Sequence, residues 1–274
     1  MRTRRITVAV IRNILLILVA AFCLLPLYWL VATSLKESQF IKTWPPTWIP
    51  SPLTLTQYFT MFRTLPVARW MLNSLVIAVL TVVSNLVFCS MAAYSLVRKK
   101  FWGRGALFTI IVGSMMVPPA VRLIPSYLLT QKMGLINSYA GIVLPTAVTG
   151  FGIFLMAQFF RTLPWEVEDA ARIDGCSDWG VLFRVVVPMS RPALTSLGVF
   201  ALVWSMDDYL WPLLVTTNTS MRPLPVGITM FIDTRIDWGP LTAVTVATIL
   251  PVAILYVIFH RYFITGLTAG AVKG

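Results

Sequence analysis

The chain has 274 residues, of which 58% are hydrophobic and 12% charged, and its formal net charge is +12. Such a composition argues against a soluble domain: runs of roughly 20 apolar residues recur, each long enough at about 1.5 Å per residue to cross a ~30 Å hydrocarbon core as a helix. Nor does the basic surplus read as a nucleic-acid surface, because Lys and Arg lie in short loops between apolar runs rather than on one polar face with stacking aromatics.

The N-terminus, "MRTRRITVAVIRN", precedes "ILLILVAAFCLLPLYWLVA". This apolar run is too long for the core of a cleaved leader and no clear small-x-small cleavage site follows it, so it reads as a first membrane helix. Six spans are predicted, at 14–33, 72–95, 106–129, 139–160, 193–216 and 241–262. The resulting class is all-α and polytopic. Between the first two spans, "WPPTWIPSPLTLTQYF" has the prolines and aromatics of an ordered loop with a short interfacial helix. With the N-terminus inside, fourteen of the 22 Lys and Arg fall on the inner side, so both termini are expected in the cytoplasm. Prolines within the spans, among them the pair Pro118 and Pro119, predict kinks and a break in the third span. Arg122 follows that break; it either snorkels to the interface or meets an anionic group such as a phosphodiester.

Between the fourth and fifth spans lies "LPWEVEDAARIDGCSDWG", which holds five of the chain's ten acids. Pro164 and the acids Glu166, Glu168 and Asp169 suit the first turn of a helix, Glu168 and Arg172 are spaced for a surface ion pair, and Gly175 suits a left-handed stop. Ser177 is then expected to cap a second short helix with Trp179, Leu182, Phe183 and Val186 on one apolar stripe, ended by Pro188. By physics alone this remains either an ordinary helical surface loop or a docking element.

The fifth span carries "WSMDDYLWPL". Asp207 and Asp208 are costly inside an apolar run, at roughly 2.5–3.5 kcal/mol each near mid-helix, and so face either a polar cavity or, past a kink at Pro212, bulk water. Trp204, Tyr209 and Trp211 could stack on the apolar face of a ligand or anchor the interface. No metal or catalytic constellation assembles. Cys23, Cys89 and Cys176 are far apart, His260 stands alone, and no G-x-x-x-x-G-K-[ST] loop exists to cradle ATP.

Taken together, "EDAARIDG" followed by "VVVP", "LTLTQYF…NSLVIAV" with Asn73 and Ser74, "AAYSLVRKKFWGRG", "LIPSYLLTQKMGLINSYAGIVLP" and "GLTAGAVKG" resemble, in order and over nearly the whole chain, the carbohydrate-uptake, maltose-type branch of ABC importer permeases. The resemblance implies a single permease domain over 1–274, with a core at about 72–262 and an EAA coupling loop at 161–191. Its fold would be the type I importer transmembrane domain with a cytoplasmic coupling helix. Carried over by position, the coupling residues are Glu168, Asp169, Ala170, Ala171, Asp174 and Gly175, with Asp169 standing where the family has glutamate. The tail Gly270–Gly274 would extend toward the ATPase. Met206 and Asp207 depart from the family's Trp-Asn-Asp/Glu-Phe block while Asp208 agrees, and Asp207 would bias the path toward polar neutral or amine-bearing sugars. The substrate path would comprise Asp207, Asp208, Tyr209, Trp204 and Arg122.

The implied function is the membrane-spanning subunit of an ATP-driven, binding-protein-dependent importer of a sugar or sugar derivative, such as an oligosaccharide or amino sugar, in a bacterial cytoplasmic membrane. A glycerophosphodiester is the alternative substrate, and a stand-alone secondary transporter a more remote alternative. The chain itself would be no enzyme and bind no cofactor. ATP and Mg²⁺ would belong to two partner ATPase subunits or domains. A homologous permease and an extracytoplasmic binding protein, docking near residues 40–70 and 217–240, would complete the assembly.

Overall fold

A computed structural model describes residues 2–233 and 237–268 and is built of helices. The tail residues Gly270–Gly274 lie outside the described residues. Among the described residues, two helices are long and apolar enough to cross a membrane, Val10–Ser34 and Val67–Arg98. Three bent pairs bring the number to five if each is one span: Arg104–Ser114 with Pro119–Lys132 at 104°, Tyr139–Thr146 with Gly150–Phe160 at 47°, and Asp178–Met189 with Arg191–Asp207 at 83°. The final helix, Trp238–Thr268, contains the shorter apolar stretch Trp238–Pro251.

The chain divides into two compact units. In the first, Met1–Ala68 with Ile228–Leu250, the first helix exposes apolar side chains around its girth, Leu15, Ile17, Phe22 and Leu25 among them, as a helix solvated by lipid or another subunit does. The loop after it is ordered as expected. Lys36 is buried, with its ammonium 4.5 Å from the centre of the Trp29 ring and donating to the Thr47 carbonyl. Tyr28 donates to the Trp48 carbonyl at 2.9 Å, and a short helix, Thr56–Thr64, follows.

In the second unit, Arg69–Gly227 with Pro251–Gly274, helix Val67–Arg98 is wound through one wide π-turn at Asn85–Cys89. Its C-terminal half packs against Gly150–Phe160 in a core that includes Cys89, Ala93, Met156, Phe160 and Leu197. Close approach there depends on Gly152, whose missing Cβ would stand only 2.7 Å from the Cys89 sulfur. At the other end of helix Val67–Arg98, the side chains of Trp70, Asn73 and Ser74 hold the loop after the fifth predicted span. Trp70 donates to the Thr219 carbonyl at 2.8 Å, Asn73 to those of Ser220 and Arg222 at 2.8 and 2.9 Å, and Ser74 accepts from Leu224 N at 2.8 Å.

One expected kink is displaced. The fifth run breaks at Asp208, whose backbone is extended (φ −70°, ψ 114°), and a new helix, Leu210–Val215, starts beyond it. Asp208 Oδ1 accepts from Trp211 N at 3.4 Å, so the acid substitutes for a lost helical acceptor. Pro212 falls in the first turn of that new helix, where an amide hydrogen has no intrahelical partner and its loss costs nothing.

Candidate functional site

The acidic stretch forms helix Trp165–Ile173, preceded by Pro164 in an extended conformation. Gly175 adopts φ +84°, and the paired bonds Cys176 N to Ala171 O and Gly175 N to Arg172 O, both 3.0 Å, close the helix as a left-handed stop requires. The two faces of this helix differ sharply. Asp169, Ala170, Ile173, Asp174 and Gly175 are exposed, whereas Glu168 and Ala171 are buried.

The expected pair of Glu168 with Arg172 forms, but the glutamate is buried rather than at the surface. Its carboxylate is 2% exposed and lies 2.7 Å from Nε of Arg98, itself 0% exposed; Arg172 is a secondary partner at 3.4 Å. The Tyr94 hydroxyl also donates to it at 3.4 Å. Arg98 is held in turn by the Leu163 carbonyl, accepting at 2.8 Å from Nη2, and by the Trp165 ring, 4.1 Å from its guanidinium carbon. The last turn of helix Val67–Arg98 is thereby clamped to the first turn of the acidic helix. Arg172 also pairs with the exposed Asp169, at 3.1 Å.

Ser177 caps the second short helix as expected, accepting from Gly180 N at 3.3 Å. Its stripe divides, however: Leu182 and Val186 are buried while Trp179 and Phe183 stack on each other outside, ring centres 6.0 Å apart. The physical reason is the π-turn at Val181–Val186, whose wider pitch shifts the phase of the apolar positions. Beside it Asp178 pairs with Lys99, whose ammonium holds the carboxyl below the usual aspartate range.

A second locus is a cavity of about 730 Å³ in the same unit. The breaks in three helices converge on it. Pro119 and Arg122 come from the third run, Thr149 and Phe151 from the fourth, and Asp207 and Asp208 from the fifth. Trp204 also lines it, edge-on to Phe151 at 5.4 Å; Tyr209 is not among the lining residues. Asn85, at the π-turn, fixes the break of the fourth run: its amide nitrogen donates to the Thr146 carbonyl at 2.7 Å and its oxygen accepts from the Thr149 hydroxyl at 2.9 Å. Broken helices at a cavity expose backbone groups to whatever occupies it, which is the usual construction of a transport site.

Over residues 85–268 the sequence matches the family described as binding-protein-dependent transport system inner membrane component. The chain belongs to that family. It is 35% identical over 260 residues to the arabinooligosaccharides transport system permease protein AraQ of Halalkalibacterium halodurans, covering 93% of each chain. It is 34% identical to the sulfoquinovosyl glycerol transport system permease protein SmoH of Agrobacterium fabrum, covering 92% of this chain and 89% of the relative. Its fold is that of a chain in the crystal structure of a bacterial ABC transporter involved in the import of the acidic polysaccharide alginate. The TM-score is 0.86 at 24% identity, over 96% of this chain and 98% of the other.

For this permease, the residues missed from sequence were Arg98, Tyr94 and Asn85. Arg98 stands in "LVRKK", where it is one of three consecutive cations and nothing local singles it out. Its position in the last turn of a span, one turn beyond a tyrosine, is the signal that could have found it.

Proposed function

We propose that this permease is the membrane-spanning subunit of an ATP-driven importer that carries a sugar or sugar derivative across the cytoplasmic membrane. In this reading it has six spans with both termini in the cytoplasm. A homologous permease completes the path, two ATPase subunits or domains bind the cytoplasmic cassette, and an extracytoplasmic binding protein delivers the substrate. ATP and Mg²⁺ are ligands of the ATPase, and the chain performs no covalent chemistry.

The observation that carries the reading is the division of helix Trp165–Ile173 into an exposed acidic face and a buried clamped one. Asp169, Ala170, Asp174 and Gly175 present charge and little bulk to a partner, while Glu168 fastens the helix to Arg98. Closure of the ATPase pushes the exposed face, and the clamp passes that displacement to helix Val67–Arg98 and so to the cavity wall at Ile77, Thr81 and Asn85. In the cavity, Asp207 and Asp208 accept hydrogen bonds from sugar hydroxyls and Trp204 offers an apolar face.

Arg122 favours a second substrate class within the same machinery. It lines the cavity and has no carboxylate partner among the described residues, so it suits a sugar or glycerol derivative carrying a sulfonate, carboxylate or phosphodiester. The test is uptake by proteoliposomes containing the permease pair and binding protein, with and without the ATPase. Uptake that requires both ATP and the ATPase is expected; equal uptake without them would refute the importer reading.

A further inference from the structure

A smaller pocket of about 240 Å³ lies beside the cassette, between the end of helix Val67–Arg98, the start of helix Arg104–Ser114 and the end of helix Gly150–Phe160. Three arginines line it, Arg98, Arg104 and Arg161, together with Phe108 and Trp165. Their charges are unequally met. Arg98 uses Nε for Glu168 and Nη2 for the Leu163 carbonyl, but its buried Nη1 has no hydrogen-bond partner. A buried charged donor left unmet costs on the order of 1–3 kcal/mol or more.

Arg161 lies over the Phe108 ring at 4.8 Å, and Arg104 donates to the Lys99 carbonyl at 3.2 Å. Neither has a carboxylate within ion-pair distance among the described residues, where Asp178 pairs with Lys99 and Asp169 with Arg172. Three guanidinium groups therefore line the pocket, and among the described residues only Arg98 of the three has a carboxylate partner, Glu168. The eleven-residue helix Arg104–Ser114 adds the positive end of its dipole through Gly105, which also lines the pocket.

We propose that this pocket binds a phosphate-bearing anion. Guanidinium forks arriving from three helices match a tetrahedral group with several acceptor oxygens better than a single planar carboxylate. Two sources carry that chemistry, the headgroup of an anionic phospholipid and free inorganic phosphate. The setting favours the lipid: Trp102, two residues before the pocket-lining Arg104, is 99% exposed, and Leu107 and Ile110 of helix Arg104–Ser114 present apolar side chains along which an acyl chain can lie. A ligand on Arg98 Nη1 is one guanidinium away from Glu168, so its occupancy braces the coupling clamp.

The test uses the full-length chain with any subunits that co-purify, incubated in detergent with equal amounts of phosphatidylglycerol and phosphatidylcholine, bound lipid being counted by native mass spectrometry. A parallel arm adds inorganic phosphate and reads thermal stability. Two variants address the pocket: Arg104→Gln with Arg161→Gln removes charge, and Gly105→Leu, where an added Cβ meets nothing within 4 Å, fills space without altering charge. Arg63→Gln with Arg69→Gln removes the same charge elsewhere.

The wild-type chain and the control are expected to prefer phosphatidylglycerol by roughly tenfold, and both pocket variants to lose that preference. A response confined to the phosphate arm, abolished in the pocket variants, would assign the same site to free phosphate. Pocket variants that behave as wild type in both arms, or a control that loses preference as fully as they do, would overturn the proposal. Should the double variant aggregate, Gly105→Leu decides. Lipid retention requires neither ATP nor an ATPase, so this outcome is independent of the import reading.

Discussion

Glu168 and Asp207 are carboxylates placed near the two ends of one set of helices, and the protein treats them in opposite ways. Glu168 is enclosed and engaged by Arg98, Arg172 and Tyr94. Asp207 is exposed to a 730 Å³ cavity and takes part in no ion pair among the described residues. Removing a charge from water is tolerated only when partners replace the water, so the buried acid is committed to holding two helices together. The cavity acid has no such partner among the described residues and stays open to whatever fills the cavity.

The contrast is broken most severely at Glu168. Glu168→Ala leaves Arg98 buried and unpaired and is expected to cost about 3–5 kcal/mol, seen as loss of monodisperse complex in thermal unfolding. Replacing both partners, Arg98→Met with Glu168→Leu, is expected to restore most of that stability while ATP-driven uptake stays low, because a greasy contact cannot hold the same geometry. Full uptake in the double variant would show that the ion pair does not transmit force. Next in size, if the exposed acidic face docks on a basic ATPase surface, Asp169→Lys should leave unfolding nearly unchanged yet weaken ATPase association by on the order of several kcal/mol, read by co-purification.

At the other locus, Asp207→Asn should keep the fold and alter the relative uptake of neutral, amine-bearing and anionic sugars by about tenfold, the worth of a hydrogen bond to a charged group. An unchanged ranking would remove Asp207 from the path. The smallest effect is expected for Lys99→Ala, because Asp178 is 58% exposed and solvent screens the pair. Since Lys99 depresses the Asp178 pKa, its contribution is present at neutral pH and is lost as the pH falls below the ordinary aspartate range. Wild type and Lys99→Ala should therefore converge in thermal stability in acid.

Much of this was readable from local pattern. Length and apolarity located the long helices, Pro118 and Pro119 the break in the third run, and Gly175 and Ser177 the stop and the cap within the cassette. Each depends on neighbours a few residues away. The burial of Glu168 was not readable, because adjacent acids in "EVEDAA" look alike until helix phase turns one inward, and the partner that makes burial tolerable comes from a distant helix. The stripe through Trp179 and Phe183 failed for a related reason: a π-turn altered the period on which the pattern rested. The break at Asp208 rather than Pro212 shows that a side chain able to cap a helix can determine where a chain bends.

Helix Val67–Arg98 grips the 219–224 loop through Trp70, Asn73 and Ser74, and it grips the acidic cassette through Arg98. From Asn73 to Arg98 it is a tie-rod roughly 37 Å long. A tug on the loop and a shove on the cassette consequently load the same lever. Its wide turn at Asn85–Cys89 brings Asn85 to the cavity beside Ile77 and Thr81 of the same helix, so a load applied at either end reaches the wall of that cavity.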